Sequence, residues 1–185
     1  ANGQSLSSKE HRMIYGRTQG KKPDMVVCRI IEKGEHEESC FIEAKHFSIT
    51  RNSNNGGYNL YKVAILCQGG INKIISSRGT ETGTKTFGAH VCEGYLILFM
   101  MDLEYDGIYR FFQLCEIKLA QELSEFNLVR RLIVETHFFK RRIDYYYSNR
   151  NSQNRSPGSP LRNNFSRNPV TTPQAPKADQ ITEFY

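Results

Sequence analysis

A chain of 185 residues has room for one domain and a tail. Hydrophobic residues at 38% fill one core, and the longest apolar run, Tyr95 to Met101, is of strand length and too short to span a membrane. The net charge of +6 favours a polyanionic partner, because Lys and Arg neutralise phosphates and release counterions, but it does not demand one.

The chain opens at Ala1 rather than Met, as a fragment or a processed product would, and no charged stretch followed by an apolar one marks a secretory signal. Ser7 to Tyr15 reads as a helix with a serine cap. Gly16 to Lys22 is a basic, glycine-containing connector. Two short, partly β-branched runs then read as strands, Asp24 to Ile31 and Cys40 to Lys45, with the charged segment Glu32 to Ser39 as the turn between them. Thr50 to Gly57 is rich in Asn, Ser and Gly and is expected to be a loop. From Tyr58 to Ser77 the apolar positions Leu60, Val63, Ala64, Cys67, Ile71 and Ile74 recur on one helical face. Gly69-Gly70 weakens that helix by about 1 kcal/mol per glycine relative to alanine, which suggests close packing on a sheet or a kink.

Arg78 to Thr86 is expected to be a loop. Its glycines and Lys85 resemble a phosphate-binding loop, but Thr84 separates Gly83 from Lys85 and a helix, not a strand, precedes it, so that assignment fails. Three strands follow, Phe87 to Cys92, Tyr95 to Tyr105 and Ile108 to Leu119, separated by Glu93-Gly94 and the hairpin signal Asp106-Gly107. A helix begins near Glu125 and carries the basic stretch Lys140-Arg141-Arg142. The domain is expected to cover residues 1–147. Residues 148–185, rich in Pro, Asn, Ser and Arg, are expected to form a disordered tail, being too poor in apolar residues to bury a core.

The five cysteines Cys28, Cys40, Cys67, Cys92 and Cys115 form no Cys-x-x-Cys pair and fall mostly inside apolar runs. Buried free thiols are the simplest reading, which points to a reducing, intracellular compartment, the nucleus included. The five histidines His11, His36, His46, His90 and His137 show no metal-ligand spacing.

The chemistry concentrates in two acidic clusters. Pro23-Asp24 opens the first strand, and Glu43-Ala44-Lys45 closes the second. An Asp at the start of one strand and a Glu-x-Lys at the end of the next converge at one sheet edge if the strands are antiparallel neighbours. Two carboxylates beside one lysine make a site for a hard divalent cation and a water that attacks a phosphate. Pro23-Asp24, a gap of eighteen residues and Glu43-Ala44-Lys45 resemble the motif of the PD-(D/E)XK nuclease superfamily, with no motif residue substituted. The resemblance covers Ser7 to Leu119.

It implies an α/β fold with a restriction-endonuclease-like core, a central mixed sheet flanked by helices. That core runs helix, three strands, helix, strand, and here the first strand has no counterpart between the first helix and Asp24. The resemblance implies a DNA-directed phosphodiesterase that uses Mg²⁺ or Mn²⁺. Asp24 and Glu43 would hold the metal, with the Ala44 carbonyl adding an oxygen. Lys45 would sit beside the attacking water. Glu10 on the first helix and Gln68 on the second match accessory positions of the family, though a solvated charge and a helix-edge amide explain them equally well.

Lys62 reads as a solvated charge or a phosphate contact, and Lys140, Arg141 and Arg142, set among aromatics, as a nucleic-acid-binding stretch. The cluster Met101-Asp102-Leu103 with Tyr105 to Arg110 resembles segments of uncharacterised fungal proteins on the same core, and assigns no activity. A catalytically inactive nuclease-like domain that binds nucleic acid or protein, or an effector module on the same core, is the alternative. The sequence leaves the oligomeric state open.

Overall fold

The computed structural model describes residues 22–31, 36–45, 54–78, 83–105 and 107–153. Strands β1 (Met25–Ile30) and β2 (His36–Ala44) precede helix α1 (Asn54–Arg78). Strands β3 (Thr84–Cys92), β4 (Tyr95–Tyr105) and β5 (Ile108–Lys118) follow, then a 3₁₀ turn at Leu123–Glu125 and helix α2 (Asn127–Gln153). The expected helix at Ser7 to Tyr15, with Glu10, lies outside the described residues.

The five strands form one sheet in chain order. All neighbouring pairs are antiparallel except β2 and β3, which run parallel. A parallel pair needs a crossover, and α1 supplies it. The result is a mixed α/β sheet with a helix on each face. On one face α1 buries Val63, Leu66, Cys67, Ile71 and Ile75 against Phe41, Met101 and Leu103. On the other, Phe139, Ile143, Tyr146 and Tyr147 of α2 pack on Cys40, Ile42, Phe87 and Met100. Leu132 and Phe139 of α2 extend that layer over Ala89, Leu98 and Ile117. The described helices include none long and apolar enough to cross a membrane.

The turns follow the sequence signals. Glu93 (φ 54°) and Gly94 (φ 73°) both take the left-handed conformation between Cys92 and Tyr95, the two-residue hairpin geometry that matches strand twist. Gly107 (φ 66°) closes the next hairpin, where Asp-Gly was the cue.

Four boundaries differ from the sequence reading. β2 begins at His36, inside the segment expected to be a turn, and Glu37, Glu38 and Ser39 are buried there. That end of β2 meets α1 around a cavity of about 130 Å³ lined by His36, Glu37, Glu38 and Lys73, so tertiary cover overrides a polar composition. α1 starts at Asn54, within the expected Asn- and Gly-rich loop. β3 begins at Thr84, because Thr84 and Thr86 are buried and the Thr86 hydroxyl donates to the Cys67 carbonyl at 2.9 Å. α2 continues to Gln153, past the expected tail boundary at Ser148, while the rest of the tail lies outside the described residues.

Candidate active site at the start of β1 and the end of β2

The β1–β2 register sets Met25 opposite Ile42 and Val26 opposite Phe41, so Asp24 arrives beside Glu43. The Asp24 amide donates to the Ile42 carbonyl at 3.1 Å, and the Asp24 carboxylate accepts from the Ala44 amide at 2.8 Å. The strand entry and the strand exit are therefore tied by backbone and side chain together. Side chains alternate along a strand, and Phe41 faces α1; Glu43 and Lys45 consequently face α1 as well.

Lys45 joins the two acids. Its Nζ lies 3.9 Å from Asp24 Oδ2 and 3.7 Å from Glu43 Oε2. Asp24 is open to solvent, with 44% of its side chain exposed, whereas Glu43 is fully buried at 0%. The three residues that the motif singled out thus converge on one sheet face at one edge. The Ala44 amide takes part through Asp24.

A fourth residue completes the cluster. Lys62 of α1 places its Nζ 2.5 Å from Glu43 Oε1, and only 16% of its side chain is exposed. The expectation of a solvated charge is corrected: Lys62 is the closest counter-charge of the buried carboxylate. A buried carboxylate is costly unless paired, and the crossover helix supplies the partner. Across the parallel pair, buried His90 of β3 stands in register with Glu43. Lys62 was read as a solvated charge or a phosphate contact and His90 was given no role, because Lys62 meets Glu43 only through the crossover helix and His90 comes into register with Glu43 only through the parallel pairing of β2 with β3. The signal present was indirect: Val63, next to Lys62, belongs to the apolar helix face.

Other expected residues lie elsewhere. Gln68 is half-buried six residues beyond Lys62, about 9 Å further along the helix and facing a different direction. Among the described residues no hydrogen bond or ion pair joins it to Glu43 or Lys45. Lys140, Arg141 and Arg142 belong to α2, which covers the opposite sheet face, and are exposed there, with Lys140 bonded to Asp144 at 2.6 Å. Their apolar neighbours Phe139 and Ile143 are partly buried and pack against the core. The basic stretch and the carboxylates do not share a cleft.

The polar cluster on β4 and β5 is a separate ladder. Buried Asp102 accepts from Arg110 at 2.8 and 2.9 Å and from Lys85 at 3.4 Å, so one acid is shared by cations on both neighbouring strands. Arg110 also stacks over Tyr105 at 4.8 Å and Phe112 at 5.3 Å. Its partners saturate it as a cross-strand tie.

The donor set decides which ion fits the first cluster. Among the described residues no group of three or more His, Cys, Asp and Glu is assembled for a metal. Asp24 and Glu43 offer hard oxygens from two carboxylates. That does not suit a closed structural zinc site, which takes four protein ligands. It does suit an ion that is held by one or two carboxylates and completes its shell with water or phosphate oxygens, as Mg²⁺ does. No family model, no curated protein and no solved structure matches this chain.

Proposed function

We propose that this chain is a metal-dependent phosphodiesterase that cleaves DNA on a restriction-endonuclease-like core. The observation that carries the reading is the position of Lys45 Nζ, within 4 Å of both the Asp24 and the Glu43 carboxylates on one sheet face. The order strand, strand, helix, strand, with a parallel pair around the helix, supports it. The first strand of that core has no counterpart among the described residues.

Asp24 and Glu43 would hold the divalent ion, Mg²⁺ or Mn²⁺, which when bound would polarise a phosphate and lower the pKa of water. Asp24 is the exposed arm, oriented by the Ala44 amide. Glu43 is the buried arm, fixed by its surroundings. Lys45 orients the attacking water and offsets charge on the pentavalent phosphorus. Water adds to phosphorus and gives up one proton to solvent, the bond to the leaving sugar oxygen breaks, and that oxygen takes up a proton from solvent. Glu43 lies within β2, and Asp24 and Lys45 directly flank β1 and β2, so regular sheet positions the site.

A second reading is a non-catalytic nucleic-acid-binding domain. The specific observation in its favour is the 2.5 Å pairing of Lys62 with Glu43, which neutralises a carboxylate that a metal would need. Incubation of the protein with single- and double-stranded DNA in Mg²⁺, Mn²⁺ or EDTA separates the two. Cleavage that requires the metal supports the nuclease. Binding that is indifferent to EDTA, with no cleavage, supports the binding domain.

A further inference from the structure

Glu43 has no exposed surface, and each of its carboxylate oxygens faces a lysine. Oε1 is held by Lys62 at 2.5 Å, and Oε2 lies 3.7 Å from Lys45. The two lysines are not equivalent. Lys45 is shared with Asp24 and lies beyond hydrogen-bond distance of both carboxylates. Lys62 makes direct contact with Glu43, and its helix is anchored on both sides of it by the buried Asn59 and Val63. A divalent ion that engages Oε1 must therefore displace the Lys62 ammonium, and two cations cannot share that oxygen at contact distance.

We propose that Lys62 is an exchangeable counter-ion that competes with the divalent metal for Glu43, and so sets how readily the site loads. The inference rests on the reading of Asp24 and Glu43 as metal ligands. With no metal present, Lys62 compensates a buried carboxylate that would otherwise destabilise the fold. With metal present, the ammonium leaves Glu43 and becomes more accessible. The site is thus built to fold empty and to bind metal against a defined internal competitor.

The test measures Mn²⁺ affinity by calorimetry for the wild type and for Lys62→Ala, Lys62→Met, Lys62→Arg and Asp24→Ala. An opposite charge beside a carboxylate shifts its equilibria by tenfold or more, so Lys62→Ala and Lys62→Met should bind Mn²⁺ about tenfold more tightly than the wild type. Lys62→Arg keeps the charge and should not gain. A second measurement uses the unmodified chain, and so stands even if the variants fail to fold. The rate at which an amine-acylating reagent modifies Lys62, read by peptide mass spectrometry, should rise several-fold when Mn²⁺ is added. Unchanged or weaker Mn²⁺ binding in Lys62→Ala, or unchanged acylation of Lys62 in Mn²⁺ that the protein does bind, overturns the competition while leaving the metal site intact. Mn²⁺ binding that is absent, or identical in the wild type and Asp24→Ala, overturns the underlying metal reading and the competition with it.

Discussion

Gly88 of β3 passes so close beneath α1 that a Cβ built on it would lie 2.6 Å from Val63 Cγ1. Cys67 Sγ would be 3.2 Å away on the same side. Because the crossover helix rests directly on the central strand there, Gly88→Ala should destabilise the protein by about 1–3 kcal/mol through overpacking. Adding Val63→Ala should recover part of the loss. The two single variants and the double variant, compared by urea denaturation, give the coupling. Additive effects would show that the two residues do not meet.

The same closeness explains Gly70, where a Cβ would lie 2.8 Å from the Phe41 ring. The sequence already indicated this, since a glycine pair inside a helical apolar pattern is a cue for close backbone approach. The two hairpins were equally legible from Glu93-Gly94 and Asp106-Gly107. Less legible were the starts of β2 and β3, because Glu37, Glu38, Thr84 and Thr86 read as solvent-facing until α1 covers them. Within the site, Asp24, Glu43 and Lys45 were visible as a motif of two neighbouring strands. The pairing of Lys62 with Glu43 was not, because only the crossover helix brings that lysine, read as a solvated charge or a phosphate contact, to the carboxylate. The exposed position of Lys140 to Arg142 on the far face was hidden for the same reason: nothing local says which sheet face a terminal helix will cover.

The buried thiols make stability fall at alkaline pH. Burial pushes the Cys40 thiol up to about 12, and burial next to Cys40 pushes Cys67 up further still. The folded state keeps both thiols protonated, while the unfolded chain releases their protons near pH 8.5. Their contribution is fully present below that pH and is lost as pH rises towards the folded values. Each thiol should cost about 1.4 kcal/mol per pH unit in that window. Unfolding free energies of the wild type and Cys40→Ala, measured from pH 8 to 11, should converge as pH rises.

At acid pH the relevant tie is Glu125 with Lys118, at the join between β5 and α2. The Lys118 ammonium, followed by the Gln121 amide, holds the Glu125 carboxyl below its ordinary value. A lowered carboxylate contributes stability above the unfolded value, and that contribution disappears as pH falls through the folded one. Glu125→Gln should therefore lower the melting temperature slightly at pH 7 and match the wild type by about pH 3. A difference that persists in acid would mean the side chain acts by packing alone.

The two carboxylates should differ sharply in what they do for the fold. Glu43→Ala strands Lys62 in a site where only 16% of its side chain is exposed, which should cost about 3–5 kcal/mol. Asp24→Ala removes an acid that is 44% exposed and should cost only about 1 kcal/mol. Thermal melts of both variants check this. It follows that Asp24 and Lys45, not Glu43, are the positions at which loss of activity can be read as loss of chemistry.

The most direct test of the nuclease reading is therefore Lys45→Ala, assayed for Mg²⁺-dependent cleavage and for DNA affinity on the same substrate. Lys45 is assigned to the transition state and not to holding the duplex, so cleavage should fall by at least about a hundredfold while the dissociation constant changes by less than about threefold. Wild-type protein that binds DNA yet leaves it intact in every metal, or a Lys45→Ala protein that cleaves like the wild type, would contradict the account.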